Sequence, residues 1–190
     1  MKIDLIRHGE PVGGRMYRGQ LDDPLSKKGW SEMHRATAAG NWDLIVTSPL
    51  KRCSEFAEDL VNRQKINLII ENAFMEIGMG VWEGRSIEEI QQESPRNYSG
   101  FFQDPVHCRP EGGEPLDRFF NRVITGWDSI IATRKEKNIL VVAHAGVLRA
   151  IVCHLLDCPI ESMYRMRFAT ASIVHVSLIP DTPAMIEFPS

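Results

Sequence analysis

Two short apolar runs in this chain each end in histidine, and no other feature restricts the fold as much. The first is Ile3-Asp4-Leu5-Ile6-Arg7-His8-Gly9-Glu10; the second is Leu140-Val141-Val142-Ala143, followed by His144-Ala145-Gly146. Each run has the length and apolarity of a buried strand. A strand that delivers Arg-His-Gly at its carboxyl end puts an imidazole and a guanidinium where open α/β sheets bind ligands. The rest of the chain can be read as supplying partners for His8.

Further strands and helices alternate along the sequence. Asp43-Leu44-Ile45-Val46 reads as a buried strand, and Ile66 to Ile70 as a further strand. Residues 11–29 are rich in Gly, Arg, Asp and Pro and read as a loop over the sheet. Gly29 is expected to close that loop before a helix at about 30–40, with Trp30, Met33, Ala36 and Thr37 on one side. Thr47-Ser48-Pro49 predicts a helix start, with Ser48 as N-cap and Pro49 at the first position, so that Arg52 falls in the first turn. Phe74 to Gly84 reads as a Gly- and Met-rich loop. Ser86-Ile87-Glu88-Glu89 is a capping box opening a short helix that Pro95 is expected to end. Residues 95–114 read as an ordered lid or connection. From Pro115 to about Lys135 a long helix carries Leu116, Phe119, Phe120, Val123, Trp127, Ile130 and Ile131 on one core-facing side. Another helix, Val147 to Leu156, follows His144. Ile173 to Leu178 alternates as a half-buried strand does, and Met185 to Phe188 suits a strand beside it. This order predicts a three-layer α/β/α sandwich with a mostly parallel sheet, formed by one domain of 190 residues with a lid or insertion at about 74–115.

Composition limits the partners. The net charge is −3, so the chain as a whole has no attraction for nucleic acid or anionic membrane, and a cationic site must be local. No apolar run approaches the roughly 18 residues of a membrane span, and the first residues lack the apolar core of a signal peptide. Cys53, Cys108, Cys153 and Cys158 form no CxxC pair, which suits reduced thiols in a cytoplasmic protein. Neither HExxH, HxH nor a His-Cys cluster is present, so no metal or other cofactor is expected. A cysteine phosphatase needs Arg six residues after its Cys; those positions here are Asp59, Glu114, Pro159 and Tyr164. Four histidines, His34, His107, His154 and His175, read as structural.

Arg7, Arg52, His8 and His144, brought to one end of a sheet, would make a cationic pocket in an acidic protein. Phosphate is its natural guest, because the arginine fork matches phosphate oxygens. Helix N-termini after Ser48 and Ala145 would add backbone amides. Neutral imidazole is a nucleophile near pH 7, so His8 could accept a phosphoryl group that water then removes. The leaving alcohol needs a proton. Glu76 and Glu83 are the candidate acids, and residue chemistry alone does not choose between them.

With those residues in place, the chain resembles the histidine phosphatase (phosphoglycerate-mutase-like) superfamily. The resemblance rests on LIRHGEP at the N-terminus, TSPLKRC at 47–53, EIGMGVWEG at 76–84 and VVAHAGVLRA at 141–150. It implies His8 as the phosphorylated nucleophile, Arg7, Arg52 and His144 as phosphate binders, and Glu76 as proton donor and acceptor. The acid-phosphatase branch has a His-Asp pair instead, and here Ala145 follows His144. Within the superfamily the chain is similar to the α-ribazole phosphatase group, through RHGEP, the WEGRS stretch at 82–86, and Asp104-Pro105 with the run from Arg109 to Pro115. The implied activity is hydrolysis of a small soluble phosphate ester. A broad-specificity phosphatase, a phosphoglycerate-type phosphomutase and a non-catalytic phosphate-binding module are the alternatives.

The sequence departs from the family pattern at two places. Where many members carry a hydroxyl residue and a phosphate-contacting Asn after RHG, this chain has Pro11 and Gly14. The Arg18-Gly19-Gln20 turn, through Gln20 or a backbone amide, is the expected replacement. After Gly-Gly-Glu, Pro115 stands where a hydroxyl residue is usual. Trp82, Phe101 and Phe102 could stack a flat ring or could be core, and Glu83 is a further candidate contact to substrate. Oligomeric state is left open, a homodimer included.

Overall fold

The structure, a computed structural model, describes residues 1–188. Six strands form one sheet in the order β3-β2-β4-β1-β5-β6. They are β1 (Lys2–Arg7), β2 (Leu44–Thr47), β3 (Asn67–Ile70), β4 (Asn138–Ala143), β5 (Ile173–Ser177) and β6 (Met185–Glu187). The first four run parallel; β5 is antiparallel to β1, and β6 to β5. The predicted three-layer, mostly parallel arrangement is therefore the one observed.

Alternation along the strands sorts the core into two layers. Ile6, Ile45, Leu140 and Val142 face α1 (Lys27–Thr37) and α2 (Lys51–Gln64), meeting Met33, Phe56 and Leu60. Ile3, Leu5, Leu44, Val46, Ile139 and Val141 face the opposite layer. There α5 (Leu116–Thr133) and α6 (Ala145–Leu155) supply Phe119, Val123, Trp127, Ile130, Val147 and Ile151. The apolar stripe of α5 is thus core, as its spacing predicts.

Parallel register positions the site. Arg7 lies opposite Ala143 in the β1–β4 ladder, and the His8 amide continues it to Ala143 O at 2.9 Å. His8 and His144 therefore leave the sheet side by side from its two central strands. Thr47 of β2 lies opposite Val142, so Ser48 emerges on the same rim.

Three local expectations need correction. Helix α1 begins at Lys27 rather than near residue 30, because Ser26 caps it and accepts from the Gly29 amide at 3.0 Å. Gly29 lies inside the first turn, where the Glu10 backbone comes so close that a Cβ would sit 2.1 Å from Glu10 O. Helix α2 begins at Lys51, with Leu50 as N-cap; Ser48 instead turns its hydroxyl towards His144. Pro95 ends α3 (Ile87–Glu93), whose Ser86 capping box is present, but it also opens α4 (Pro95–Gln103). Proline is well suited to a first helical position, where its missing N–H is no loss.

Helix α4 anchors the 95–114 segment through Phe101, which is fully buried. Its ring meets Tyr164 edge-on at 4.6 Å, and Arg109 lies over it at 5.1 Å. Phe101→Ala should cost about 3–5 kcal/mol of stability, the usual range for emptying a buried phenylalanine site. Urea unfolding followed by far-UV circular dichroism measures this; a loss below about 1 kcal/mol would mean that α4 is not docked as described.

Candidate active site

A cavity of about 590 Å³ opens at the carboxyl ends of β1 and β4. Arg7, His8, Arg52 and Glu76 all line it, together with Arg18, Gly19, Ala145 and Gly146. Four of the five residues named by the resemblance thus converge on it, from three separated stretches of sequence.

His8 is 5% exposed, and its Nδ1 lies 2.8 Å from Gly9 O. A carbonyl oxygen only accepts, so Nδ1 carries the hydrogen and Nε2 keeps its lone pair. Burial, then the charges of Arg52 and Arg7, hold the His8 pKa well below the ordinary imidazole value. The ring is therefore neutral and fixed in the tautomer that leaves Nε2 free.

Arg52 is 1% exposed and is anchored by donating to Leu21 O at 2.6 Å and Gly19 O at 2.8 Å. Arg7 donates to Phe168 O at 2.7 Å. The Nε of each guanidinium is buried without a hydrogen-bond partner among the described residues. Unspent donors of this kind are what an anion in the cavity would meet. Burial lowers the Arg7 pKa, and the nearby Glu76 carboxylate partly opposes that.

His144 stands beside His8 at the end of β4. It is fully buried and does not form part of the cavity wall; its ring packs edge-on to His8 with centroids 5.2 Å apart. Its Nε2 is 2.7 Å from Ser48 Oγ. Burial, then Arg52 and His8, holds its pKa well below normal. In this structure its ring contacts are His8 and Ser48.

Geometry separates the two glutamates that residue chemistry left open. Glu76 borders the cavity, with Oε1 accepting from Ile77 N at 3.0 Å and Oε2 from Gly146 N at 3.2 Å. Glu83 is turned away from it: its Oε1 accepts from Gln20 N at 3.0 Å and Met79 N at 2.9 Å, tying two loops together. That clamp also occupies the Gln20 amide, one of the groups in the Arg18-Gly19-Gln20 turn expected to replace the missing family contact. The Gln20 side chain donates to Glu76 O at 3.2 Å and so supports the glutamate loop. At each predicted helix N-terminus one amide is already engaged. The Gly146 amide goes to Glu76, and the Lys51 amide of α2 donates to Asp22 at 2.7 Å. Trp82, 5% exposed and packed on Tyr17, Phe101 and Tyr98, is core and lies outside the cavity wall.

Phe101 and Phe102, named from the sequence, do line the cavity, but sequence reading missed other parts of the wall. Tyr17, Tyr98 and Tyr164 extend its aromatic side, and Arg15, Arg149 and Arg167 add charge. One signal was available: Ala145, Gly146 and Arg149 share a face of α6 by helical spacing, directly after His144. Arg149 donates from Nε to Met166 O at 3.0 Å and lies over the Tyr164 ring at 5.5 Å. Arg15, Arg149 and Arg167 have no carboxylate partner within salt-bridge distance among the described residues.

A buried histidine flanked by guanidinium groups thus lies at the carboxyl end of the parallel strands. The profile of the histidine phosphatase superfamily (branch 1) matches residues 3–188, and the chain belongs to that superfamily and is a phosphatase. It is 30% identical over 172 residues to the adenosylcobalamin/alpha-ribazole phosphatase of Escherichia coli (strain K12), covering 88% of this chain and 85% of that one. It is 28% identical over 185 residues to phosphoserine phosphatase 1 of Hydrogenobacter thermophilus, covering 93% and 87%. Among solved structures, the alpha-ribazole phosphatase from Shigella flexneri superposes with a TM-score of 0.85 at 27% identity, over 99% of this chain and 95% of that one. A mycobacterial glucosyl-3-phosphoglycerate phosphatase solved with VO3 gives 0.86 at 25% identity, over 98% and 97%. No helix among the described residues is long and apolar enough to cross a membrane.

Proposed function

We propose that this phosphatase hydrolyses a small phosphomonoester through a phosphohistidine at His8, without a metal ion. The observation that carries the proposal is the Nδ1 contact of His8 with Gly9 O at 2.8 Å, in a ring kept neutral by burial and by Arg52 and Arg7. Nε2 attacks phosphorus, the P–N bond forms, and the ester P–O bond breaks. Glu76, which must enter this step in its protonated form, gives its proton to the departing alkoxide. Water then attacks phosphorus and loses a proton to Glu76; the P–N bond breaks, releasing inorganic phosphate and neutral His8. Arg7 and Arg52 hold the equatorial oxygens, where phosphoryl transfer needs positive charge. His144 holds the His8 ring from its edge.

α-Ribazole 5′-phosphate, an intermediate of cobalamin assembly, is the leading candidate substrate. The aromatic side of the cavity suits its flat benzimidazole ring, and two of the relatives are named for this activity. A second reading is favoured by Arg15, Arg149 and Arg167. Three cavity arginines without carboxylate partners suit an ester bearing an additional anion, such as phosphoserine, and one relative is a phosphoserine phosphatase.

The test is a competition assay with α-ribazole 5′-phosphate, phosphoserine, 3-phosphoglycerate and nucleotides side by side. Both inorganic phosphate and isomerised ester are measured, with and without EDTA. We expect phosphate release that EDTA does not alter, with kcat/KM highest for the α-ribazole ester. Preference for phosphoserine would favour the second reading. Isomer formation in place of phosphate release would make the protein a mutase, and loss of turnover in EDTA would contradict a metal-free mechanism.

A further inference from the structure

Glu76 lies in an irregular stretch, residues 75–78, between two short 3-10 turns at Asn72–Phe74 and Gly80–Trp82. The carbonyls of Ala73, Met75 and Glu76 receive no backbone amide among the described residues. Backbone groups in such a position need another partner. Arg122 on α5 provides it. Its Nη1 donates to Ala73 O at 2.6 Å and Met75 O at 2.8 Å, and its Nη2 to Glu76 O at 3.2 Å. Its remaining donors go to Glu114, from Nε to Oε1 at 2.7 Å and from Nη2 to Oε2 at 2.9 Å. All five guanidinium hydrogens are thus spent, three on the glutamate loop and two on one carboxylate.

Glu114 completes the brace. Its Oε2 also accepts from Gly78 N at 3.2 Å, and its own amide donates to Gly78 O at 2.9 Å. The pair is largely shielded, with side-chain exposures of 24% for Arg122 and 15% for Glu114. Neither residue lines the cavity. On the other side, Gly146 leaves just enough room for the Glu76 carboxyl, since a Cβ there would sit 2.2 Å from Glu76 Oε1. The loop is therefore held from α5 while its carboxyl is seated against α6.

We propose that Arg122, braced by Glu114, is a positioning residue that sets the Glu76 carboxyl at the leaving-group oxygen. This rests on reading Glu76 as the proton donor. Arg122 touches no substrate and acts only through the loop it grips. Displacing a catalytic group by about 1 Å can cost 10²-fold in rate, so the effect should be large for a residue outside the cavity.

The leaving group distinguishes positioning from general support of the fold. A p-nitrophenolate departs without a proton, whereas an alkoxide needs one. The readout is the ratio of kcat/KM for p-nitrophenyl phosphate to kcat/KM for glycerol 3-phosphate, in which any loss common to both esters cancels. In Glu76→Gln the ratio should rise by about 10²-fold or more, the usual worth of general acid catalysis. In Arg122→Met it should rise by roughly 10- to 100-fold, and in Arg122→Lys nearly as much, because one ammonium cannot span Glu114 and three carbonyls. Glu114→Gln, which keeps its shape and an acceptor for Gly78, carries the same test should the methionine variant not fold. An unchanged ratio in the Arg122 and Glu114 variants, beside a raised one in Glu76→Gln, would overturn the positioning role alone. An unchanged ratio in Glu76→Gln itself would overturn the assignment of the acid, and the positioning role with it.

Discussion

Replacing His8 with alanine should lower kcat/KM by roughly 10⁴-fold or more, since the nucleophile is the one group that neighbouring side chains cannot replace. Arg7 and Arg52 would still bind phosphate, so inhibition by inorganic phosphate should survive while turnover disappears. The substitution also takes the donor from Gly9 O and empties a buried site, a cost of about 1–3 kcal/mol for the orphaned carbonyl. His8→Asn removes the confusion between lost chemistry and lost fold. Its side-chain amide can donate to Gly9 O much as Nδ1 does, but offers no nucleophilic nitrogen. Both variants should be folded by circular dichroism and equally inactive. An asparagine variant with more than a few per cent of wild-type kcat/KM would contradict nucleophilic catalysis at this position.

Stability should fall steeply on acidification through the range where free histidine titrates. His8 and His144 are both held below the ordinary imidazole pKa by burial and by Arg52. Below about pH 6.5 the unfolded chain binds protons at these two rings and the native protein does not. Stability then rises with pH up to that value and is lost as pH falls below it. Each ring contributes a slope of up to about 1.4 kcal/mol per pH unit, so the pair contributes up to about 2.7. Several carboxylates, among them Glu10, Glu89 and Asp104, also have lowered pKa values, but they titrate at lower pH. The window from pH 5 to 6.5 therefore reports on the histidines. Urea midpoints across that window, in the wild type and in His8→Asn and His144→Asn, measure the effect. Each asparagine variant should lose about one proton's worth of slope. Equal slopes in all three proteins would show that the rings are not held neutral.

The elements that carry the site were legible in the sequence because local signals there agree with tertiary structure. Strand β4 runs from Asn138 to Ala143 as its apolar run predicts, and the capping box at Ser86 forms as written. Errors arose where one residue type has two uses. Pro95 reads as a stop but also serves as a first helical residue. Gly29 reads as the end of a loop but is present because Glu10 passes within contact of its Cα. Ser48 has the chemistry of a cap, yet its hydroxyl is taken by His144 from the neighbouring strand. The choice between Glu76 and Glu83 was closed to sequence because it depends on which loop amides lie nearby. Gln20 and Met79 claim Glu83, and Gly146 claims Glu76. Arg122 was read only as part of a core helix, although three of its five donors serve a loop 46 to 49 positions earlier.

The central claim is that a phosphoryl group passes through His8. Rapid acid-free quenching of the enzyme during turnover of a ³²P-labelled ester, followed by proteolysis and mass spectrometry, tests it most directly. An acid-labile, base-stable label on the peptide containing His8, formed and discharged at rates that support kcat and absent in His8→Asn, is the predicted result. Full turnover without label on that peptide, or label on another residue, would contradict it.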